Sequence, residues 1–347
     1  MAKRMMKQKQ KVRREDVARE ANVSSAAVSY VLNGTKRLSP EVEERVLEAA
    51  KRLNYQPNRI AQSLAGSKSY TLAFITGDIT NMYQLDVIKG MQEEALKNDY
   101  IVFIFDAFGN VDKYVDHLIS RRVDGIFVSG APDFLSDEHL CKLRDAGIKV
   151  LADFSRSTYL PDVSYIMSDW FDGFMQSVQY LKELGHTDIG YLSAFDESCY
   201  YDLRLPAFKI AVRKLLDIGV PDIEYGSSPY TTSEETGYKL MQKMMHYHPG
   251  VTAVIATNDL MAIGAMKAVE AAGLQVPRDY SVIGIDNIDK SKTCRPTLTT
   301  LDQSGRIMGA KIFHILYENI DNNTTGKYIE PMSLLKRESA GIVRGGK

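Results

Sequence analysis

The chain has 347 residues, enough for two or three hydrophobic cores, and no run approaches the roughly 18 apolar residues that a membrane helix needs. Its net charge is −1, yet the stretch through Lys68 holds 15 Lys and Arg against 7 Asp and Glu, and the remainder 28 against 37. A basic head on an acidic body confines any polyanionic partner to the head.

In chain order, the first ten residues lack the apolar core of a signal peptide. They read either as a basic arm drawn to phosphates or as a plain disordered tail. Asp16 to Ala21 predicts a short amphipathic helix, and the Asn22-Val23 link turns the chain sharply, Asn22 tolerating a left-handed backbone. A second helix follows, with Ser24 accepting a backbone N–H at its start and Gly34 ending it. Val28, Val31 and Leu32 share one face, and Ser25, Ala26, Ser29, Tyr30 and Asn33 the other. The small, polar second face suits a helix entering a major groove, so the pair reads as a helix-turn-helix; a generic helical hairpin is the alternative. Ser39-Pro40-Glu41 predicts a third helix, capped by the Ser39 hydroxyl, with Val42, Val46, Ala49, Ala50 and Leu53 on its core face. From Asn54 to Gly66, Pro57 breaks that helix, Asn58 caps a new one and Gly66 stops it. Two turns cannot hold themselves together in water, which makes this segment a coupling element.

From Tyr70 the texture becomes short apolar runs between helical stretches. One set lies at 71–75, 100–105, 125–128 and 149–152, and a second at 189–192, 253–256 and 281–285. Such runs predict two doubly wound α/β lobes built on parallel sheets, with ligands beyond the carboxyl ends of the strands.

Nearly the whole chain carries ordered matches. In the head these are Asp16-Val17-Ala18, Val23-Ser24, Val28-Ser29, Val31-Leu32-Asn33, Ser39-Pro40 and Tyr55-x-Pro57-Asn58. Further on come Ala61 with Leu64-Ala65-Gly66, Arg122-Val123-Asp124-Gly125, Leu184-Gly185-His186, Asn258-Asp259-x-Met261-Ala262-x-Gly264-Ala265 and Pro296-x-Leu298-Thr299-Thr300. Together they resemble the LacI/GalR family of bacterial transcription repressors.

The resemblance implies a DNA-binding head over residues 1–56, a hinge helix and linker over 57–69, and a core over 70–347 like a periplasmic sugar-binding protein. The core would comprise two interwoven lobes, roughly 70–165 plus 302–332 and 166–301 plus 333–347. Ser25, Ala26 and Tyr30 would face base edges, while Ser24, Ser29 and Asn33 hold phosphates, setting register. Tyr30 departs from the lactose-type repressors, which have an arginine there. Arg13 and Arg14 replace a threonine and an aliphatic residue and strengthen backbone attraction. In the hinge, Asn58 and Ala61 accompany Leu64, which would wedge into the central minor-groove step; packing of Leu64 on a dimer mate is the alternative.

For the core, the resemblance implies that Asp153, Arg204, Asn258 and Asp286 hold a hydroxylated ligand, the carboxylates accepting, the guanidinium donating and the amide doing both. Asp78, Asn81 and Tyr83 would line the opposite wall. Gly305 occupies a position where some sugar binders have phenylalanine, so the stacking ring comes from Tyr200, Tyr230 or Phe154, with Trp170 read as packing.

No catalytic residue, cofactor or metal is expected. The sequence has no nucleophile elbow and no phosphate loop, and His246 and His248 stand two apart on a helix end, facing different ways. Cys141, Cys199 and Cys294 are odd in number and widely spaced, which fits a reduced, cytoplasmic setting. The expected protein is a homodimer without a coiled-coil tail, repressing carbohydrate-utilisation genes from a pseudo-palindromic operator under control of a small sugar. Alternatives are a catabolite-control-type regulator with a phosphorylated carrier protein as corepressor, a purine-type repressor, or, in another class, a sugar receptor or enzyme on the same fold.

Overall fold

A computed structural model describes residues 12–33, 36–56, 68–106, 111–129, 135–153, 160–199, 202–219, 221–227 and 231–343. The chain divides into two compact units, Met1–Ser69 and Tyr70–Lys347.

The first unit holds α1 (Arg14–Glu20), α2 (Ser25–Asn33) and α3 (Pro40–Arg52). Val17, Ala18, Ala21, Val28, Val46, Ala49 and Ala50 form its core, with Val31, Leu32 and Leu53 partly buried around it. The helix α1 starts two residues before the expected Asp16, because the Asp16 carboxylate accepts the Arg13 N–H at 2.9 Å and closes the first turn from inside. Asn22 takes the left-handed backbone (φ 51°), and the Ser24 hydroxyl accepts the Ala27 N–H at 3.1 Å, capping α2. Ser39 precedes α3 but makes no side-chain cap bond, contrary to the sequence expectation. Glu43 instead reaches back to accept the Leu38 N–H at 3.0 Å. The stop at Gly34 lies outside the described residues, as does the hinge from Pro57 to Gly66.

The second unit begins β1 (Thr71–Thr76), α4 (Met82–Lys97), β2 (Ile101–Asp106), α5 (Val111–Ser120), β3 (Gly125–Ser129), α6 (Asp137–Asp145), β4 (Lys149–Asp153), β5 (Ser164–Ser168). It continues α7 (Trp170–Glu183), β6 (Ile189–Ser193), α8 (Arg204–Leu216), β7 (Ile223–Tyr225), α9 (Glu234–Tyr247), β8 (Ala253–Ala256), α10 (Asp259–Ala271) and β9 (Ser281–Ile285). It closes with α11 (Asp289–Thr293), β10 (Thr299–Asp302), α12 (Gly305–Asn322), β11 (Lys327–Glu330) and β12 (Ser333–Leu335).

Two six-stranded sheets result, ordered β11-β5-β4-β3-β1-β2 and β12-β10-β9-β8-β6-β7. Among the described residues, every pairing is parallel except β12 on β10. Alternate residues of β1 face opposite ways: Leu72 and Phe74 pack with Val87 and Met91 of α4 and Ile312 and Leu316 of α12, while Ala73 and Ile75 pack with α5 and α6. The second sheet is covered in the same manner, by α9 and α10 on one face and by α7 and α8 on the other. Two doubly wound α/β lobes are therefore present, as the runs of apolar residues predict. The chain passes between them three times, from β5 to α7, from β10 to α12 and from β11 to β12. The strands β5, β7, β10, β11 and β12 have no counterpart among the expected apolar runs.

Candidate functional sites

The carboxyl ends of both sheets open on one cleft of about 200 Å³. That is small beside the roughly 300–1,000 Å³ typical of drug-sized ligands. Lobe one contributes Asn81, Tyr83 and Gln84 from the start of α4, with Ser129, Asp153 and Ser168 at the last positions of β3, β4 and β5. Lobe two contributes Asn258 after β8, Asp286 after β9, and Asp202 and Arg204 where α8 begins; Gln303 lies in the β10–α12 crossover. Strand ends place side chains here because the parallel strands all finish at one edge, where helices begin.

Of the residues named from sequence, Asn81, Tyr83, Asp153, Arg204, Asn258 and Asp286 meet in this cleft. Asp78 does not line it: its Oδ1 accepts the Thr80 N–H at 2.8 Å and the Thr80 hydroxyl at 2.6 Å, closing a local turn. Tyr200, Tyr230 and Phe154 lie outside the described residues. Trp170, read as packing, lines the cleft and lays its ring 5.4 Å from the Arg204 guanidinium, with Phe195 at 5.2 Å. At Gly305 a Cβ would come within 3.1 Å of Asp86 and 3.3 Å of the Tyr83 ring, so Tyr83 occupies space that a larger residue at position 305 would need.

The polar inventory differs from the expectation. The Asn258 Oδ1 accepts the Met261 N–H at 3.0 Å, capping α10, and the Asn81 Oδ1 accepts both Tyr83 N–H and Gln84 N–H, capping α4. Asn81 therefore serves the cleft through its NH₂ as a donor alone, whereas Asn258 keeps its NH₂ and one lone pair of Oδ1. Arg204 donates through Nε to Asp202 Oδ1 at 2.7 Å. Burial works against the Arg204 charge, but Asp202 and neighbouring acceptors more than offset this and hold it protonated. Asp286 is held well above the usual carboxylate range, first by desolvation and then by the charge of Asp259; Arg204 and the Gln303 amide, which donates to Asp286 at 2.6 Å, pull the other way. Tyr83 is likewise pushed up by desolvation and by Asp286 and Asp153.

Gln84, Ser129, Ser168, Asp202 and Gln303 were missed from sequence. A search for polar residues ending parallel strands finds Ser129 and Ser168 and, one residue further on, Gln303. Asp202 and Gln84 carry no comparable signal.

In the head unit, Ser24, Ala26 and Tyr30 are exposed and Ser25 and Ser29 half-buried. The Arg14 Nε donates to Ser25 Oγ at 2.9 Å, so one residue expected on phosphates and one expected on bases hold each other in the free protein. The Lys36 ammonium lies 5.8 Å from the Tyr30 ring centre, which places a cation beside that exposed face. Arg13 is exposed at the start of α1, and α2 ends at Asn33. Asn58, Ala61 and Leu64 lie outside the described residues. Among those described, no group of three or more His, Cys, Asp or Glu is arranged to hold a metal, and no helix is long and apolar enough to cross a membrane.

Residues 15–58 match the model of the bacterial regulatory proteins of the lacI family, and residues 178–340 match that of the periplasmic binding protein-like domain. The transcriptional repressor PurR of Pasteurella multocida is 31% identical over 340 residues, covering 92% of this chain and 95% of that protein. Catabolite control protein A of Priestia megaterium is 30% identical over 90% of this chain and 94% of its own length. Among solved structures, the lac repressor dimer bound to operator and the anti-inducer ONPF superposes with a TM-score of 0.80 at 27% identity, over 96% of this chain and 100% of that one. A helix-turn-helix at the amino end, two interwoven parallel-sheet lobes and relatives matched along nearly their whole length agree: the chain belongs to the lacI family of bacterial regulatory proteins.

Proposed function

We propose that this protein is a transcriptional repressor, active as a homodimer on a pseudo-palindromic operator, whose DNA binding is controlled by a small carbohydrate held between the lobes. The observation that carries the ligand half is the convergence of Asp153, Arg204, Asn258 and Asp286 on one small cleft from four separate elements. Converging acceptors and donors beside apolar and aromatic wall residues suit a hydroxylated molecule with a ring face. The regulated genes on this reading serve carbohydrate use. In the head, Ser25, Ala26 and Tyr30 read bases; Arg13, Arg14, Ser24, Ser29 and Asn33 hold the backbone; Asn58, Ala61 and Leu64 engage the minor groove. Engagement of Ser25 requires Arg14 to release it, so DNA exchanges one hydrogen bond for others.

Ligand closes the lobes and shifts the population of ordered hinges, which changes operator affinity. Selection of genomic fragments on the purified protein at near-physiological salt tests the proposal. A shared near-palindrome beside sugar transport or hydrolase genes, with binding altered by the corresponding sugar, is the expected result. Many dispersed sites would favour the catabolite-control reading, and no enrichment at all would refute the operator claim.

A further inference from the structure

Two oxygen atoms in the cleft walls are buried and have no hydrogen-bond partner: Oδ2 of Asp202 and Oε1 of Gln84. Their partner atoms are fixed. Asp202 Oδ1 takes the Arg204 Nε–H, and Gln84 Nε2 donates to Ser129 Oγ at 2.6 Å, whose hydroxyl faces Asp153 Oδ2 at 3.4 Å. Neither side chain can turn to water without breaking those bonds, and Asp202 is only 7% exposed. A buried acceptor left unmade is costly, so its presence in a ligand cleft points to a donor brought by the ligand. One oxygen belongs to each lobe.

The same walls are unsuited to an anion. Asp153 and Asp202 face the cleft with Arg204 as the cation among its described lining residues, and that guanidinium is already paired to Asp202 and enclosed by the Trp170 and Phe195 rings; Asp286, held towards its neutral form by burial, brings no positive charge to receive an anion. At the helix amino ends facing the cleft, Asn81 takes the Tyr83 and Gln84 N–H groups of α4, Asn258 takes the Met261 N–H of α10, and Asp202 Oδ1 takes the Arg204 N–H of α8 at 3.2 Å, which removes these donors from a phosphate.

We infer that Asp202 and Gln84 are specificity-determining residues that each accept a hydroxyl hydrogen from an uncharged polyhydroxylated ligand, and that the cleft rejects the phosphorylated form of the same sugar. This rests on the reading of the cleft as the effector site. It follows that the effector reaches the protein by a route that leaves it unphosphorylated, and that the kinase step of its metabolism consumes the signal.

Trp170 is the sole tryptophan and lines the cleft, so its emission reports occupancy in the full-length protein. The probes are ribose, glucose and cellobiose, each against its terminal phosphate ester, with hypoxanthine alongside. At least one neutral sugar should bind, with its phosphate weaker by about 100-fold or more. Asp202→Asn keeps an oxygen for Arg204 but turns the other position into a donor; it should weaken the neutral sugar by roughly 10- to 100-fold and narrow the gap to the phosphate. Gln84→Leu, which leaves Arg204 alone, should weaken the neutral sugar by about tenfold and serves if Asp202→Asn does not fold. Equal binding of sugar and phosphate, or unchanged neutral-sugar affinity in the variants, overturns the inference while leaving a sugar effector standing. Silence towards every sugar and ester, or response to hypoxanthine only, overturns the carbohydrate reading and this inference with it.

Discussion

Asp259, in the first turn of α10, is wholly buried, and its two oxygens accept the Thr300 hydroxyl at 2.5 Å and the Ile288 N–H at 2.9 Å. Burial nevertheless pushes its carboxyl up to about 7, the hydrogen bonds and Arg337 offsetting only part of the desolvation. Because the folded state holds this proton more tightly than the unfolded chain, the stabilisation is complete below the unfolded value and is lost as pH rises towards 7. The loss amounts to about 3 kcal/mol between pH 4 and pH 7. His186, buried against Thr252 and Ser281, has the opposite sign: desolvation lowers its folded value, so its contribution falls as pH drops through the ordinary histidine range. Urea midpoints at pH 5 and pH 8 separate the two. The wild type should lose more stability over that interval than Asp259→Asn, and an equal change in both proteins would show that Asp259 does not titrate there. On the proposed hinge, Leu64→Ala should weaken operator binding far more than binding to random duplex, since only the operator complex gains from the wedge. Equal losses on both DNAs in a mobility-shift titration would leave Leu64 a packing residue.

Each lobe is held by a helix pair crossing through reciprocal glycines. A Cβ on Gly264 of α10 would overlap the Glu234 carbonyl of α9, and one on Gly237 of α9 would overlap the Met261 carbonyl of α10, each closer than 3.0 Å. In the first lobe Gly90 of α4 meets the Arg306 carbonyl in the same way, and Gly309 of α12 meets that of Val87. Backbone cannot yield as a flexible side chain can, so Gly264→Ala must separate α9 from α10 and loosen the cluster of Leu240, Met241, Met261 and Ala265. A loss of about 1–3 kcal/mol or more in urea unfolding is expected. Gly219, where an added Cβ would meet nothing within 4 Å, is the control, and Gly219→Ala should be neutral or slightly stabilising. These crossings explain what the sequence could and could not disclose. Gly264 stands out by resemblance, but its carbonyl partner, Glu234, comes from another helix. The same holds for strands: β1, β3 and β8 announce themselves as apolar runs, whereas β10 begins with two threonines. Those are fully buried only because the Thr299 N–H finds Ser339 Oγ and the Thr300 hydroxyl finds Asp259. In the cleft, Asp153 and Asp286 are legible as acids at strand ends. The unpaired oxygen of Asp202 depends on which of its atoms Arg204 takes, which no spacing encodes.

At the scale of the molecule, two of the three crossovers between lobes are tied to the cleft. Ser168, ending β5, donates to Gln303 Oε1 at 2.9 Å, and Gln303, following β10, donates to Asp286. Asp286 holds φ 111° and Asn287 φ 57°, while the Arg337 guanidinium donates to Asn287 Oδ1 at 2.5 Å, so this turn has little freedom of its own. On the proposed reading, a ligand hydroxyl arriving at Asp286 meets a group already linked to both crossovers. If closure is what alters the operator-bound population, thermodynamic linkage sets the last prediction. A sugar that weakens operator binding by some factor must itself be bound more weakly by the same factor when operator is present, and couplings of this kind run from about 5- to 150-fold. Trp170 fluorescence titrations with and without a saturating operator duplex give one factor, and operator titrations with and without saturating sugar give the other. A scrambled duplex should leave sugar affinity closer to that of the free protein, because it engages the head without ordering the hinge. Matching factors place cleft and DNA on one two-state equilibrium, whereas identical sugar affinities in all three titrations would mean that ligand and operator bind this protein independently.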